Sequence, residues 1–126
     1  MTQEDRTLLL KDLSARLLYG IICDDGYGNV LELNGIDKPN TATFKCSDKT
    51  FWTTDLDKCK PYLFPLSSMT EEQTEELIKL INTDQNDNNE FMRSLCRIEF
   101  YHKNHFDYRG LIEKGLAIDA TGLNIY

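Results

Sequence analysis

The sequence predicts an α+β domain in which a helix comes first, a small curled antiparallel sheet follows, and two to three helices end the chain. Apolar residues recur at helical spacing near both ends, whereas short runs of β-branched and aromatic residues occupy the middle. A length of 126 residues is sufficient for one domain with its own core. We therefore expect a single domain over residues 1–126.

The first helix is predicted over residues 3–18. Thr2 is a suitable N-cap, and Glu4 and Asp5 lie in the first turn, where the helix dipole favours acidic side chains. One face of this helix is apolar and is formed by Leu9, Leu10, Leu13 and Leu17. Gly20 is well placed to end the helix, because glycine adopts the left-handed conformation that helix ends use.

The sheet is predicted from four short segments, at residues 19–23, 29–33, 42–46 and 51–54. Turn-forming residues separate the segments, among them the dipeptide Asn34-Gly35. Strands this short and evenly spaced indicate a curled sheet of about four strands, with a partial SH3-like barrel as one form of it. Residues 55–69 are predicted to be a connector, because Pro61 and Pro65 disfavour regular structure around them.

A second helix is predicted over residues 71–81. Thr70 and Gln73 have the spacing of a capping box, in which each side chain bonds the other's backbone N–H. The inward face is predicted to carry Leu77, Ile78 and Ile81. Residues 82–89, NTDQNDNN, are predicted to form a flexible polar linker.

A third helix is predicted over residues 90–104, with apolar spacing through Phe91, Leu95, Ile98 and either Tyr101 or His102. A turn at residues 107–110 and a short helix through Leu111 and Ile112 follow. Gly115 is predicted to end that short helix. No structure is predicted for the remaining tail.

The net charge of −7 is unevenly distributed. Residues 66–90 contain seven acidic side chains and one lysine, so most of the net negative charge lies on this segment. This distribution disfavours binding of a phosphate backbone by the whole surface, because that requires clustered lysine and arginine.

The expected location is the cytoplasm. The N-terminal residues lack the apolar core of a secretion signal, and no apolar run approaches the ~18 residues of a membrane span. Four cysteines lie far apart without a C-x-x-C pair, at Cys23, Cys46, Cys59 and Cys96. We expect four free thiols, since zinc sites usually take cysteines in close pairs and disulfides suit secreted chains.

Three stretches, LLLKDLSARL, KPYLFPLSSMTEEQ and NHFDYRGLIEKGLA, carry a resemblance when taken together. They resemble a group of small uncharacterised proteins of gut Bacteroides-type bacteria and of their prophages and mobile elements. The resemblance implies a bacterial or phage-related cytoplasmic protein, and it carries no activity.

Both histidines lie close together near the C-terminus. On a helix, the spacing of His102 and His105 places both rings on one face, and Asp107 could complete a zinc or iron site. The sequence anchors no further ligand nearby, so neither a metal nor a cofactor is expected. We favour a structural role in which His105 hydrogen-bonds the end of the helix.

The segment Asp107-Tyr108-Arg109-Gly110 has two interpretations. In the structural one, Asp107 caps the short helix after it and Arg109 pairs with an acid such as Glu113. In the functional one, a partner's carboxylate or a phosphate is held by the turn, whose candidate binding residues are His105, Asp107, Tyr108 and Arg109.

A second candidate surface lies in residues 44–62, where lysines alternate with aromatic residues. Its members are Lys45, Lys49, Trp52, Lys58 and Lys60. Aromatic stacking beside basic groups is typical of single-strand nucleic-acid binding. The alternative is that the aromatic residues belong to the core and the lysines only solubilise it.

No pattern in the sequence indicates a catalytic residue. Cys96 lies six residues before His102, so the two side chains point to different faces of a helix. The sequence therefore favours a non-enzymatic module that binds an unidentified protein partner, through residues 105–112 or through the acidic helix. The alternative is a nucleic-acid-associated accessory protein that uses residues 44–62.

Overall fold

The computed structural model describes residues 1–37, 40–82 and 90–126. The elements, in chain order, are α1 (Gln3–Arg16), β1 (Ile22–Asp24), β2 (Val30–Asp37), β3 (Thr41–Lys45), β4 (Phe51–Asp55), β5 (Lys60–Pro65), α2 (Glu71–Ile81), α3 (Glu90–Lys103), β6 (Phe106–Asp107) and β7 (Ile118–Asp119). This order confirms the α+β class with an N-terminal helix. In the described ranges, no helix combines the length and the apolar composition that a membrane span requires.

The start and the end of α1 follow the predicted chemistry. Thr2 and Asp5 form a reciprocal capping box, and Thr2 Oγ1 accepts the Asp5 N–H at 3.0 Å. After α1 a single 3-10 turn, Leu17–Tyr19, continues the helix to Gly20. Gly20 has a φ of 72°, which L-residues with side chains rarely adopt, so glycine is the residue that permits the turn into the sheet.

The sheet is larger than predicted, and it is open. Strands β1 to β4 form an antiparallel meander, and the strand order among the described residues is β4-β3-β2-β1-β5-β6, with β7 paired to β5. The expected partial barrel is therefore wrong, because β4 and β6 remain at opposite ends of the order. Asn34-Gly35 forms no turn between strands and lies within β2, at a register shift against β3.

Strand β5 was not predicted, because its prolines indicated a connector. Pro61 and Pro65 occupy the second and the last positions of the strand, where the lack of an N–H removes little from the ladder. β5 pairs with β1 in antiparallel fashion and with β6 and β7 in parallel fashion. It thereby joins the N-terminal meander to the C-terminal part of the chain.

The apolar core has two parts. The larger part lies between α1 and the sheet and includes Leu9, Leu13, Phe44 and Leu63, all fully buried. The smaller part lies beneath α2 and α3 and is formed by Leu77, Phe100 and Phe106.

Helix α2 has the predicted bounds and the predicted capping box, in which Thr70 Oγ1 accepts the Gln73 N–H at 3.1 Å. Of its predicted inward residues, Leu77 is buried and Ile81 is partly buried. The prediction for Ile78 was wrong, since half of its surface is exposed. Of the predicted linker over residues 82–89, all but Asn82 lies outside the described residues.

The C-terminal tail is tied to the sheet, although no structure was predicted for it. β7 pairs with β5, and the Tyr126 hydroxyl donates to the Tyr62 carbonyl at 2.8 Å and accepts the Ile22 N–H at 3.0 Å. The predicted short helix through Leu111 is instead a series of hydrogen-bonded turns that ends at Gly115.

Candidate functional site

A buried ion pair lies on the inner face of α1. Asp12 and Arg16 are one helical turn apart and fully buried, and Arg16 Nε donates to Asp12 Oδ2 at 2.8 Å. Both side chains lie on the face that also buries Leu9 and Leu13. Burial raises the pKa of the Asp12 carboxyl above its ordinary value, although Arg16 and Arg109 both favour the ionised form.

Residues of the C-terminal segment contact both members of this ion pair and extend it into a network. Arg16 Nη2 donates to the Phe106 carbonyl oxygen at 2.6 Å, and Arg109 Nε lies 3.2 Å from Asp12 Oδ1. The Tyr108 ring lies near both guanidinium groups, at 5.3 Å from that of Arg16 and 5.0 Å from that of Arg109. The sequence suggested Glu113 as the partner of Arg109, whereas the structure pairs Arg109 with α1.

The two histidines lie at different parts of this network. His102 Nε2 is 2.7 Å from the Tyr108 hydroxyl, and the His105 ring stacks on Tyr126 with centroids 3.6 Å apart. His105 has a φ of 60° and ends α3 through its backbone N–H, which donates to the His102 carbonyl. Burial, together with nearby Arg16, lowers the pKa of each histidine to about 4.

The three residues considered for a zinc or iron site, His102, His105 and Asp107, each have other partners in the structure. His102 faces Tyr108, His105 faces Tyr126, and both Asp107 oxygens accept backbone N–H groups. Within residues 1–37, 40–82 and 90–126, no three His, Cys, Asp or Glu side chains are grouped so that they could hold a metal ion.

Asp107 caps the turn that follows it, as the structural interpretation predicted. Its two carboxylate oxygens accept the N–H groups of Leu111 at 3.0 Å and of Ile112 at 2.9 Å. The carboxylate is buried, so it replaces water as the partner of two backbone donors. This cap therefore fixes the backbone of the turn that carries Tyr108 and Arg109.

Replacement of Asp107 by alanine is expected to lower the free energy of unfolding by about 2 kcal/mol, because two N–H groups at this cap lose their acceptors. Urea denaturation checks this. Asp107→Asn, which keeps one strong acceptor, should lose less. Asp119→Ala is the matched control, since it removes a similar cap from Thr121 at the surface. Equal losses for Asp107→Ala and Asp119→Ala would contradict the argument.

A groove of about 360 Å³ runs beside the predicted partner-binding turn. Its walls are formed by Pro65, Leu66, Ser67, Asp107, Tyr108, Gly110, Ile112 and Glu113. Of the four candidate residues of the turn, Asp107 and Tyr108 line this groove, whereas His105 stacks on Tyr126 and Arg109 pairs with Asp12. Arg109 keeps 29% of its side chain exposed, whereas Asp12 and Arg16 are fully buried.

The lysine and aromatic residues of the second candidate surface lie on and around the edge strand β4. Trp52 and the adjacent Phe51 are exposed by 42% and 60%. Lys45 lies directly opposite Phe51 in the β3–β4 ladder. Lys49 lies in the turn before β4, and Lys60 begins β5.

Several polar groups of this surface contact each other. Lys58 Nζ lies 2.6 Å from the Tyr27 hydroxyl and 4.9 Å from the centre of the Tyr27 ring, which meets Trp52 edge-on. Burial alone would raise the pKa of the buried Asp25, but hydrogen bonds from the Tyr27 N–H and from the backbone and side chain of Asn29 hold it below its usual value.

Two buried thiols are poor candidates for nucleophiles. Cys23 and Cys59 are free and fully buried. Burial raises the pKa of Cys59 to about 12 and that of Cys23 well above its usual value. Both side chains therefore stay protonated at neutral pH, and a thiol is a weak nucleophile compared with a thiolate. Cys46 and Cys96 are partly buried.

An exposed apolar stripe lies on α3. Phe91, Leu95 and Ile98 follow at the spacing that places them on one helix face, with exposed fractions of 70%, 37% and 37%. His102 continues the same face at the C-terminal end, where it is buried against Tyr19 and Tyr108. We call Phe91, Leu95 and Ile98 the α3 stripe.

The side of α3 that meets α2 is a different one. Cys96, Phe100 and Lys103 line a hollow of about 240 Å³ together with Glu76 and Leu80 of α2. In a helix with 3.6 residues per turn, these positions lie well away from the α3 stripe. Helix α3 therefore has two apolar faces, one against α2 and one toward solvent over most of its length.

Comparison with known proteins found no matching family model, no matching curated protein and no matching solved structure.

Proposed function

We propose that this protein is a non-enzymatic interaction module of bacterial or phage-related origin, and that it binds a helix of a protein partner on the α3 stripe in the cytoplasm. The observation that carries the proposal is the outward apolar face of α3. Phe91 alone exposes 70% of its surface, and two further large apolar residues continue the same face.

A row of large apolar side chains on a helix is costly in water unless another surface covers it. The same spacing is typical of a helix face that packs on a core. In α3, however, Phe100 and Tyr101 contact the smaller core, and the stripe face is buried only at its end, at His102. The straight, narrow stripe fits a helix laid alongside it, which is a common mode of protein recognition.

The turn at residues 105–109 holds this surface in place. The contact with the partner is proposed for the α3 stripe and not for the turn. Tyr108 contacts both His102 and Tyr101 of α3, so the buried network holds the C-terminal end of the helix in place. A rigid helix loses little conformational entropy when it binds, which favours affinity. The network would thus position the α3 stripe for its partner.

The variant Leu95→Asp is expected to abolish partner capture while the fold remains intact, because it places a charge at the centre of the α3 stripe. The tagged protein would be incubated with lysate of its bacterial host, with and without nuclease, and retained proteins identified by mass spectrometry. The control Glu75→Lys changes charge on the outer side of α2 and should capture as the wild type does. Capture that survives Leu95→Asp would overturn the assignment of the stripe.

A nucleic-acid-associated role is the second candidate, favoured by the exposed Phe51 and Trp52 beside Lys45 on the edge strand. Stacked bases and a basic neighbour are what single-strand binding requires. One of the lysines of this surface is already engaged, since Lys58 Nζ donates to the Tyr27 hydroxyl. Capture that disappears with nuclease would favour this candidate over the α3 stripe.

A further inference from the structure

Separately from the α3 stripe, we infer that a cleft beside β4 binds a neutral saccharide, with hexose rings laid against Trp52 and Tyr27. The cleft has a volume of about 320 Å³. This value lies at the lower end of the roughly 300–1,000 Å³ that small-molecule sites occupy. Its walls are formed by one residue of the loop between β1 and β2, one residue of β3 and four of β4, namely Tyr27, Thr41, Trp52, Thr53, Thr54 and Asp55.

Two aromatic rings form one corner of the cleft. The rings of Tyr27 and Trp52 meet edge-on, with centroids 5.9 Å apart and an angle of 88° between their planes. Tyr27 is 56% exposed and Trp52 is 42% exposed, so part of each ring is open to a ligand. The face of an aromatic ring carries partial negative charge, whereas the C–H groups of a pyranose carry partial positive charge. A sugar ring can therefore lie against this corner with its apolar side.

The remaining walls of the cleft present hydroxyl and carboxylate groups. Within residues 1–37, 40–82 and 90–126, no hydrogen bond joins the side chains of Thr41, Thr53, Thr54 or Asp55 to another residue. A threonine hydroxyl both donates and accepts, and a carboxylate accepts from two donors at once. Neighbouring hydroxyl groups of a sugar offer a donor and an acceptor on each oxygen. The cleft therefore suits a ligand that is rich in hydroxyl groups.

The charge of the cleft favours a neutral ligand over a phosphate. Asp55 is the charged member of the walls, and no described lysine or arginine lines them. Lys45 lies toward the other end of β4, opposite Phe51, and Lys58 donates to the Tyr27 hydroxyl from outside the walls. A phosphate bound here would be repelled by the Asp55 carboxylate, whereas a neutral sugar would donate hydrogen bonds to it.

Tyr27 is held in position before a ligand arrives. Its N–H donates to Asp25 Oδ1 at 2.8 Å, and its hydroxyl accepts a hydrogen bond from Lys58 Nζ at 2.6 Å. The ladder between β3 and β4 places Asp55 opposite Thr41. Groups that are already ordered lose little conformational entropy on binding, which favours affinity for a small ligand.

The fluorescence of Trp52 provides the test, because it is the single tryptophan of the chain and lies in the cleft. The full chain would be titrated with maltose, lactose, mannobiose and N,N′-diacetylchitobiose, which present four different hexoses. Concentrations up to about 50 mM make a dissociation constant of about 1 mM measurable. At least one of the disaccharides should shift the emission in a saturable manner. A short oligothymidylate would be titrated in parallel.

Two variants of exposed residues test the polar walls. Asp55→Asn removes the charge and Thr53→Val removes a hydroxyl, while both keep the size of the side chain. Asp55→Asn should weaken the saccharide about tenfold and Thr53→Val about fivefold. Phe51→Ala is the matched control, since Phe51 is 60% exposed on the same strand but lies outside the walls, and it should bind as the wild type does. Circular dichroism of each variant would establish that the sheet is still folded.

Two sugar results would overturn the inference. One is the lack of a saturable change with all four disaccharides, and the other is binding that Asp55→Asn and Thr53→Val leave unchanged, which would place the sugar elsewhere. A response to oligothymidylate without a response to the sugars would also overturn it and would favour the nucleic-acid role. None of these results bears on the α3 stripe, which Leu95→Asp tests separately.

Discussion

Replacement of Asp12 by alanine is expected to lower the free energy of unfolding by about 4 kcal/mol. Asp12 is the acid that faces both Arg16 and Arg109, and Arg16 is fully buried. Without the carboxylate, Arg16 keeps one hydrogen bond, to the Phe106 carbonyl, and its charge remains buried without a counter-ion. Since domains are stable by only about 5–15 kcal/mol, the variant should be close to unfolding at 37 °C.

Urea denaturation measures this loss, and Asp57→Ala is its matched control. Asp57 also accepts two hydrogen bonds from an arginine, Arg6, each of 2.7 Å. That pair, however, lies at the surface. Solvent screens an exposed pair, so its removal should change the unfolding midpoint far less. Similar losses in the two variants would show that burial does not decide the contribution of Asp12.

Stability is expected to fall as the pH is lowered from about 6.5 to about 4. Burial depresses the pKa of His102 and of His105 in the folded chain, whereas both return to about 6.5 when the chain unfolds. Between these two values the unfolded state binds more protons than the folded one, so the free energy of unfolding rises with pH. Above pH 6.5 neither state binds these protons, and the dependence ends.

Urea denaturation at several pH values between about 7 and 4 would give the slope, which reports the protons taken up on unfolding. His102→Gln with His105→Asn should flatten it, and asparagine is chosen because it tolerates the positive φ at position 105. Asp12 works in the opposite direction, since its raised pKa favours the folded state as the pH falls toward 4. A double variant with an undiminished slope would rule out the histidines as its source.

Local chemistry in the sequence was sufficient to predict the helices. The N-cap at Thr2, the capping box at Thr70 and the glycine at position 20 act over a few residues, and the structure confirms all three. The cap formed by Asp107 is equally local and was also predicted. Such features need no knowledge of the rest of the fold.

Strand β5 and the ion network could not be predicted in the same way, because their partners are distant in the sequence. β5 forms a strand because it pairs with β1, β6 and β7, although its two prolines disfavour regular structure. Asp12 and Arg16 lie one turn apart on the face that also carries Leu9 and Leu13, but they were not predicted to form a buried pair. Nothing in their spacing identifies Arg109 as a third member of the network.

The α3 stripe shows where helical periodicity stops being informative. Spacing identifies which residues share a face, but a face that packs on the chain's own core has the same pattern as one that packs on another molecule. Phe91 and Leu95 therefore could not be distinguished from core residues by sequence. Only the position of α3 against α2 and the sheet separates the two cases.

The bonds formed by Tyr126 have a consequence for the order in which the chain can fold during synthesis. Tyr126 joins Ile22 and Tyr62, and Arg16 depends on the carbonyl of Phe106, so residues from both parts of the chain are needed to complete the fold around α1 and β1. A nascent chain from which Phe106 and Tyr126 have not yet emerged cannot make these contacts. The meander of β1 to β4 would emerge first, and its edge beside β5 would stay incomplete until those residues follow.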